Sequence, residues 1–198
     1  VLAVAGLGYA GIQKKKAAEA ASAKATAEAD DSNTVTWQGK TYKYNQNLSN
    51  YLLLGVDKRT PAETRVGKAD AGQADALFLL SLNRKTKEMT LISIPRDTMT
   101  DVESFDLEGK SLGKSKDHIS LSYGYGDGGA ESCKLTQEAV SNLFYGLPIQ
   151  GYLAMNLDGI PELAKSVGGL TVTVPNNSLE YKYSEFSEGA EVTLTEEN

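Results

Sequence analysis

Four charged residues stand at the ends of three short apolar runs in the first half of the chain. Tyr51–Val56 is closed by Asp57, Ala76–Leu82 is opened by Asp75, and Met89–Ile94 is followed by Pro95, Arg96 and Asp97. Carboxylates and a guanidinium are the groups that hold a phosphate anion together with a divalent cation. Mg²⁺ takes one or two carboxylates and leaves its other positions to water and phosphate. Arginine offers a planar fork that matches two phosphate oxygens. A plainer reading stands beside this one: an ion pair that closes a sheet edge, since charges at strand ends are ordinary. Spacing leaves both open.

The elements that must bring these residues together are legible as strands. Each run is short, rich in Leu and Ile, and bounded by polar or turn residues. The first two are apolar on both faces, which predicts burial on both sides. Asn83–Glu88 is a polar connection of hairpin length. A hairpin centred between Lys85 and Thr86 sets Asp75 opposite Arg96, because the two are equally far from the turn. A first strand parallel to the third carries Asp57 to the same rim. Ligands commonly bind where loops leave such a sheet. Arg59 and Arg65 leave that edge too, toward phosphate or toward solvent.

Composition narrows the class. The chain has 198 residues, 40% of them apolar, enough for one domain with extensions. A net charge of -6 argues against a nucleic-acid partner. The single cysteine, Cys133, excludes an internal disulfide and reads as an inert buried thiol. The single histidine, His118, excludes a multi-His metal site. No Ser or Cys nucleophile motif accompanies it, so it reads as a structural hydrogen-bonding residue.

Residues 1–12 are uncharged and mostly apolar. A bilayer needs about 20 such residues, so this stretch reads as the end of a truncated transmembrane helix, with an apolar helix packed on the domain or a signal-peptide tail as the alternatives. Lys14, Lys15 and Lys16 follow, and the positive-inside rule alone puts their side in the cytoplasm. Residues 13–33 form an Ala-rich polar stalk, and residues 34–198 the domain, truncated at its C-terminus. The domain opens with a small hairpin about Gln38-Gly39.

Gly124–Gly129 formally fits the dinucleotide motif G-x-G-x-x-G. The segment before it is polar, and Asp127 would set an anion in the phosphate cradle. A tight turn before a helix is the better reading. Leu135, Ala139, Val140, Leu143 and Phe144 follow at helical spacing, with Thr136 as a candidate N-cap and Gly146 at the stop. A strand over Gly151–Leu157, a helix from Asp158 to Gly168 and a strand over Leu170–Val174 imply a crossover and a partly parallel sheet. The expected fold class is α/β: a mixed central sheet with helices on its faces, an α/β/α sandwich.

Together, the blocks YLLLGVDKR, ADALFLLSLNRKTKEMTLISIPRDT, the Tyr-Gly stretch and ELAKSVGGLTVTVP resemble the LytR-CpsA-Psr family over residues 48–176. The resemblance implies a single-pass enzyme of the bacterial cell membrane with its domain on the extracytoplasmic side, against the lysine flank. It implies transfer of a glycopolymer, such as teichoic acid or capsule, from a polyprenyl-pyrophosphate carrier to peptidoglycan, with Mg²⁺. Matched motif by motif, Asp57 and Asp75 become the Mg²⁺ ligands and Arg96 the pyrophosphate-binding catalytic arginine. Asp97 becomes either a general base or a brace for Arg96. Arg59 and Gln73 join the pyrophosphate contacts. Two departures stand out. Gln73 occupies a position where the family usually has arginine, which lowers the expected phosphate affinity. The family's later arginine cluster lies beyond Asn198. The alternative is a non-catalytic envelope module that binds prenyl phosphate or glycan.

Overall fold

The computed structural model describes residues 33–59 and 64–195. The expected membrane-helix end and almost all of the stalk lie outside the described residues. Among the described residues no helix is long and apolar enough to cross a membrane.

Strands β1 (Thr34–Trp37) and β2 (Lys40–Lys43) form the predicted hairpin. Gln38 and Gly39 turn it with φ of 48° and 72°, the left-handed pair that a tight two-residue turn requires. The chain divides into two compact units, Val1–Gln46 and Asn47–Asn198, so this hairpin belongs to the first. Among the described residues β1 and β2 pair with each other and with no other strand.

The second unit is built on a four-stranded sheet of β3 (Leu48–Val56), β4 (Ala74–Asn83), β5 (Met89–Ile94) and β8 (Gly151–Asn156), ordered β5-β4-β3-β8. β4 is antiparallel to both β3 and β5, so those two run the same way, as expected. β8 lies parallel to β3 after a crossover. The β4–β5 register runs from Leu77↔Ile94 to Leu82↔Met89, centred between Lys85 and Thr86. Asn83 shapes that turn, its Oδ1 accepting the N–H groups of Lys85 at 3.0 Å and Thr86 at 3.2 Å.

Between β5 and β8 the chain forms a second hairpin, β6 (Met99–Phe105) with β7 (Ser111–His118), then helices α1 (Leu121–Gly124) and α2 (Ala130–Leu143). This second hairpin is built mostly from polar residues. After β8 come α3 (Gly159–Ser166), β9 (Leu170–Thr173) and β10 (Glu191–Leu194), and the last two pair as a separate ribbon. Thr136 does not cap α2, which already begins at Ala130. Its hydroxyl donates to the Ser132 carbonyl at 2.9 Å inside the helix.

The core lies on one face of the sheet. Leu52, Leu54, Leu77 and Leu79 alternate inward and pack with Ile119, Tyr123, Cys133, Ala139 and Val140. A buried amide clamps three segments of this unit. Asn50 Nδ2 donates to the Pro148 carbonyl at 2.9 Å, its Oδ1 accepts the Ser81 hydroxyl at 2.7 Å, and its N–H donates to Gln150 Oε1 at 2.5 Å. The opposite face carries Tyr51, Leu53, Phe78, Leu80, Leu91 and Leu153, with Leu91 57% and Leu153 65% exposed. Burial on both sides is the expectation for β3 and β4: on this outer face their Leu53, Phe78 and Leu80 are half-buried, while the edge strands are exposed. The described residues make a mixed sheet with helices, an α/β fold. The helix α3 buries none of its residues.

Candidate functional site at the sheet rim

The β4–β5 register carries the expected pair into contact. Arg96 Nη1 forms an ion pair with Asp75 Oδ1. Arg96 Nη2 donates to Gln73 Oε1 at 2.8 Å, and Arg96 Nε lies 3.6 Å from Asp97 Oδ1. Asp57 joins through Gln73: its backbone N–H donates to the Gln73 carbonyl at 3.1 Å, and its Oδ1 accepts the Gln73 N–H at 2.7 Å. Gln73 is therefore bonded through its backbone to one carboxylate and through its side chain to the guanidinium. The Ser120 hydroxyl also donates to Gln73 Oε1, at 3.4 Å. Gln73, expected among the pyrophosphate contacts, has its side-chain oxygen on the Arg96 guanidinium.

The structure thus gathers Asp57, Gln73, Asp75, Arg96 and Asp97 at one rim, and Arg59 elsewhere. The Arg59 guanidinium is 78% exposed and 3.6 Å from Asp158 at the start of α3. Its carbonyl accepts Asn156 Nδ2 at 2.6 Å.

Gly72 permits this crowding. Its φ is +94°, and a Cβ there would stand 2.7 Å from Asp57 Oδ1 and 2.6 Å from Lys58 Cγ. No side chain fits at that position without pushing Asp57 off Gln73.

An apolar cleft of about 550 Å³ lies beside the rim, lined by Val56, Tyr123, Cys133, Tyr152, Ala154 and Met155 among others. Its wall at Val56 is the residue before Asp57. Burial, then the Cys133 and Asp127 charges, pushes the Tyr123 phenol up to about 12, and its hydroxyl donates to the Gly128 carbonyl at 3.0 Å. Burial, then Asp127, pushes the Cys133 thiol up to about 11, so it stays neutral, as an inert thiol should.

Asp127 settles the glycine motif. Its Oδ1 accepts the N–H groups of Gly129 at 2.8 Å, Glu131 at 3.1 Å and Ser132 at 3.3 Å. Partial burial works to raise its pKa, but these N–H bonds outweigh it and hold the carboxyl below its ordinary value. The N-terminus of α2, where a dinucleotide phosphate would sit, is filled by the chain's own carboxylate.

His118 is the residue the sequence reading set aside. It ends β7 with Nδ1 3.4 Å from Asp97 Oδ1. No local motif signals this contact; only the β6–β7 pairing does.

For a metal, the donor set is limited. Among the described residues no group of three or more His, Cys, Asp or Glu side chains forms a metal cage. Asp57 and Asp75 are two carboxylates on one rim. Such a pair fits an ion whose coordination is completed by phosphate and water.

An α/β domain whose sheet rim clusters carboxylates around an arginine, beside an apolar cleft, is the class these features define. The profile of the LytR_cpsA_psr family matches residues 9–196, and the chain belongs to that family. It is 32% identical to the polyisoprenyl-teichoic acid–peptidoglycan teichoic acid transferase TagU of Bacillus licheniformis, over 72% of this chain and 39% of the relative. The Bacillus subtilis protein of the same name is 31% identical over the same shares, 72% and 39%. The chain therefore spans well under half the length of these relatives. Among solved structures, Bacillus subtilis TagV aligns with a TM-score of 0.52 at 26% identity, covering 78% of this chain and 54% of that one. Protein gbs0355 of Streptococcus agalactiae aligns with a TM-score of 0.53 at 25% identity, covering 77% and 50%.

Proposed function

We propose that this chain serves the transfer of a glycopolymer from a polyprenyl-pyrophosphate carrier to peptidoglycan, at the extracytoplasmic face of the cell membrane. One observation carries the reading: a guanidinium held in place at a sheet rim whose strand end also walls an apolar cleft. A lipid diphosphate needs both, an apolar slot for its chain and a cationic fork for its head. The relatives, polyisoprenyl-teichoic acid–peptidoglycan teichoic acid transferases, support it.

In this reading the prenyl chain lies along Val56, Tyr152 and Ala154, and the diphosphate faces Arg96. Asp75 and Gln73 fix the plane of the guanidinium, so little reorganisation is needed as charge builds on the leaving phosphate. Asp97, beside Arg96 Nε, braces it from the third side. Asp57 and Asp75 would hold Mg²⁺, which when bound adds charge neutralisation at the phosphate oxygens. Residues 1–12 are the proposed membrane tether. A second reading, a module that holds prenyl phosphate or glycan without turnover, is favoured by one feature: Gln73 brings no positive charge.

The test uses the full-length protein. Binding of a prenyl pyrophosphate is titrated with and without Mg²⁺, beside Asp75→Ala, and transfer to peptidoglycan is assayed in parallel. We expect binding that weakens at least tenfold without the metal or without Asp75, and transfer that follows it. Binding indifferent to both would remove the rim as the head-group site. Binding without transfer would leave the module.

A further inference from the structure

The β6–β7 ladder does not stop at its last strand pair. Met99 faces His118, then the Ile119 N–H donates to the Thr98 carbonyl at 2.9 Å, and the Ser120 N–H to the Arg96 carbonyl at 3.2 Å. The turn after Pro95 is closed by the Thr98 N–H on the Pro95 carbonyl at 3.0 Å. This framing stands Asp97 between a guanidinium and an imidazole. One carboxylate oxygen, Oδ1, is 3.6 Å from Arg96 Nε and 3.4 Å from His118 Nδ1. The imidazole is thus one carboxylate away from the guanidinium assigned to the diphosphate. Both groups face solvent, His118 at 49% and Asp97 at 69% side-chain exposure, so a bulky polymeric acceptor can reach them.

We propose that His118 is the general base for the acceptor hydroxyl, with Asp97 as the residue that orients it; this rests on the transfer reading above. A carboxylate at Nδ1 selects the tautomer with its proton there and leaves Nε2 free to accept. Catalytic contacts in an unliganded site are commonly long and tighten in the complex. The other charged groups along this edge are Asp117, whose Oδ1 accepts the His118 backbone N–H at 2.8 Å, and Lys116, paired with Asp101 at 3.0 Å.

The acceptor hydroxyl oxygen forms a bond to the phosphorus that bears the glycopolymer. The bond from that phosphorus to the bridging oxygen of the carrier breaks, and its electron pair leaves on the prenyl phosphate. The hydroxyl proton passes to His118 Nε2 and then to solvent.

The experiment compares full-length wild type with His118→Gln, His118→Lys and Asp97→Asn. It uses a synthetic prenyl-pyrophosphate-linked sugar as donor and a peptidoglycan fragment as acceptor. Donor affinity is measured in parallel and also serves as the folding control. His118→Gln should lower kcat by roughly 10²–10⁴-fold and leave donor affinity within twofold. His118→Lys should not restore the rate, and Asp97→Asn should lower kcat as well. Transfer by His118→Gln within twofold of wild type would overturn the assignment. So would retained activity in His118→Lys together with weakened donor binding in His118→Gln, since the side chain would then act as a phosphate-binding cation. No transfer by wild type at any pH, with donor still bound, would overturn the underlying transferase reading as well.

Discussion

Asp127 shows how much one side chain decides within a glycine-rich stretch. Its carboxylate takes three backbone N–H groups at the start of α2, so it acts as the cap that Gly129 cannot supply. A carboxyl held below its ordinary value contributes stability that is full above the unfolded-state value and is lost as pH falls through the folded one. Asp127→Asn should therefore destabilise the fold at pH 7 by about 0.5–2 kcal/mol, the range for lost helix caps. The gap to wild type should shrink as pH falls below the ordinary carboxyl range and through the lowered folded-state value; denaturant unfolding at neutral and at strongly acidic pH checks the sign. At this scale the sequence was uneven. Asp75 and Arg96 could be paired by counting from a turn. Gln73 could be placed at the rim, but not the direction of its amide, which depends on Arg96 being already engaged by Asp75. His118 gave no signal, because its partner arrives through a ladder rather than through neighbouring residues.

At the scale of elements, strands with apolar runs were legible and strands without them were not. β7, SLGKSKDH, has no apolar side and is exposed or half-exposed along its whole length, so nothing in its pattern separates it from a loop. It is held by its partner β6, which packs against α2 at Val102 and Thr100. The start of α2 was misplaced for a related reason. Thr136 has the chemistry of a cap, but a threonine hydroxyl bonded to the carbonyl one turn back is equally at home inside a helix. Asn50 is the polar residue on which the sheet's order depends, since it joins β3 to β4 and to the approach of β8. Asn50→Ala leaves the buried Ser81 hydroxyl without its acceptor. We expect a loss of about 1–3 kcal/mol, read as a lower denaturant midpoint, while the isosteric Asn50→Asp should not rescue it, because a carboxylate cannot donate to Pro148.

At the scale of the molecule, the α/β class was visible and the exposure of the sheet's outer face at its edge strands was not. Leu-rich strands look the same whether one face is covered or two. Only the exposure of Leu91 and Leu153 distinguishes the cases. Replacing both with Thr should shift the stability of this chain by less than about 0.5 kcal/mol per site, since neither sits in a packed layer, and should reduce the binding of an environment-sensitive apolar dye. A loss of several kcal/mol would mean that the face is covered. The arrangement of β3 has one more consequence. Val56 is cleft wall, Asp57 is rim, and Gln73 ties Asp57 to Arg96. Mechanically, the greasy slot and the charged edge are the two ends of a single strut, with one glutamine as its joint.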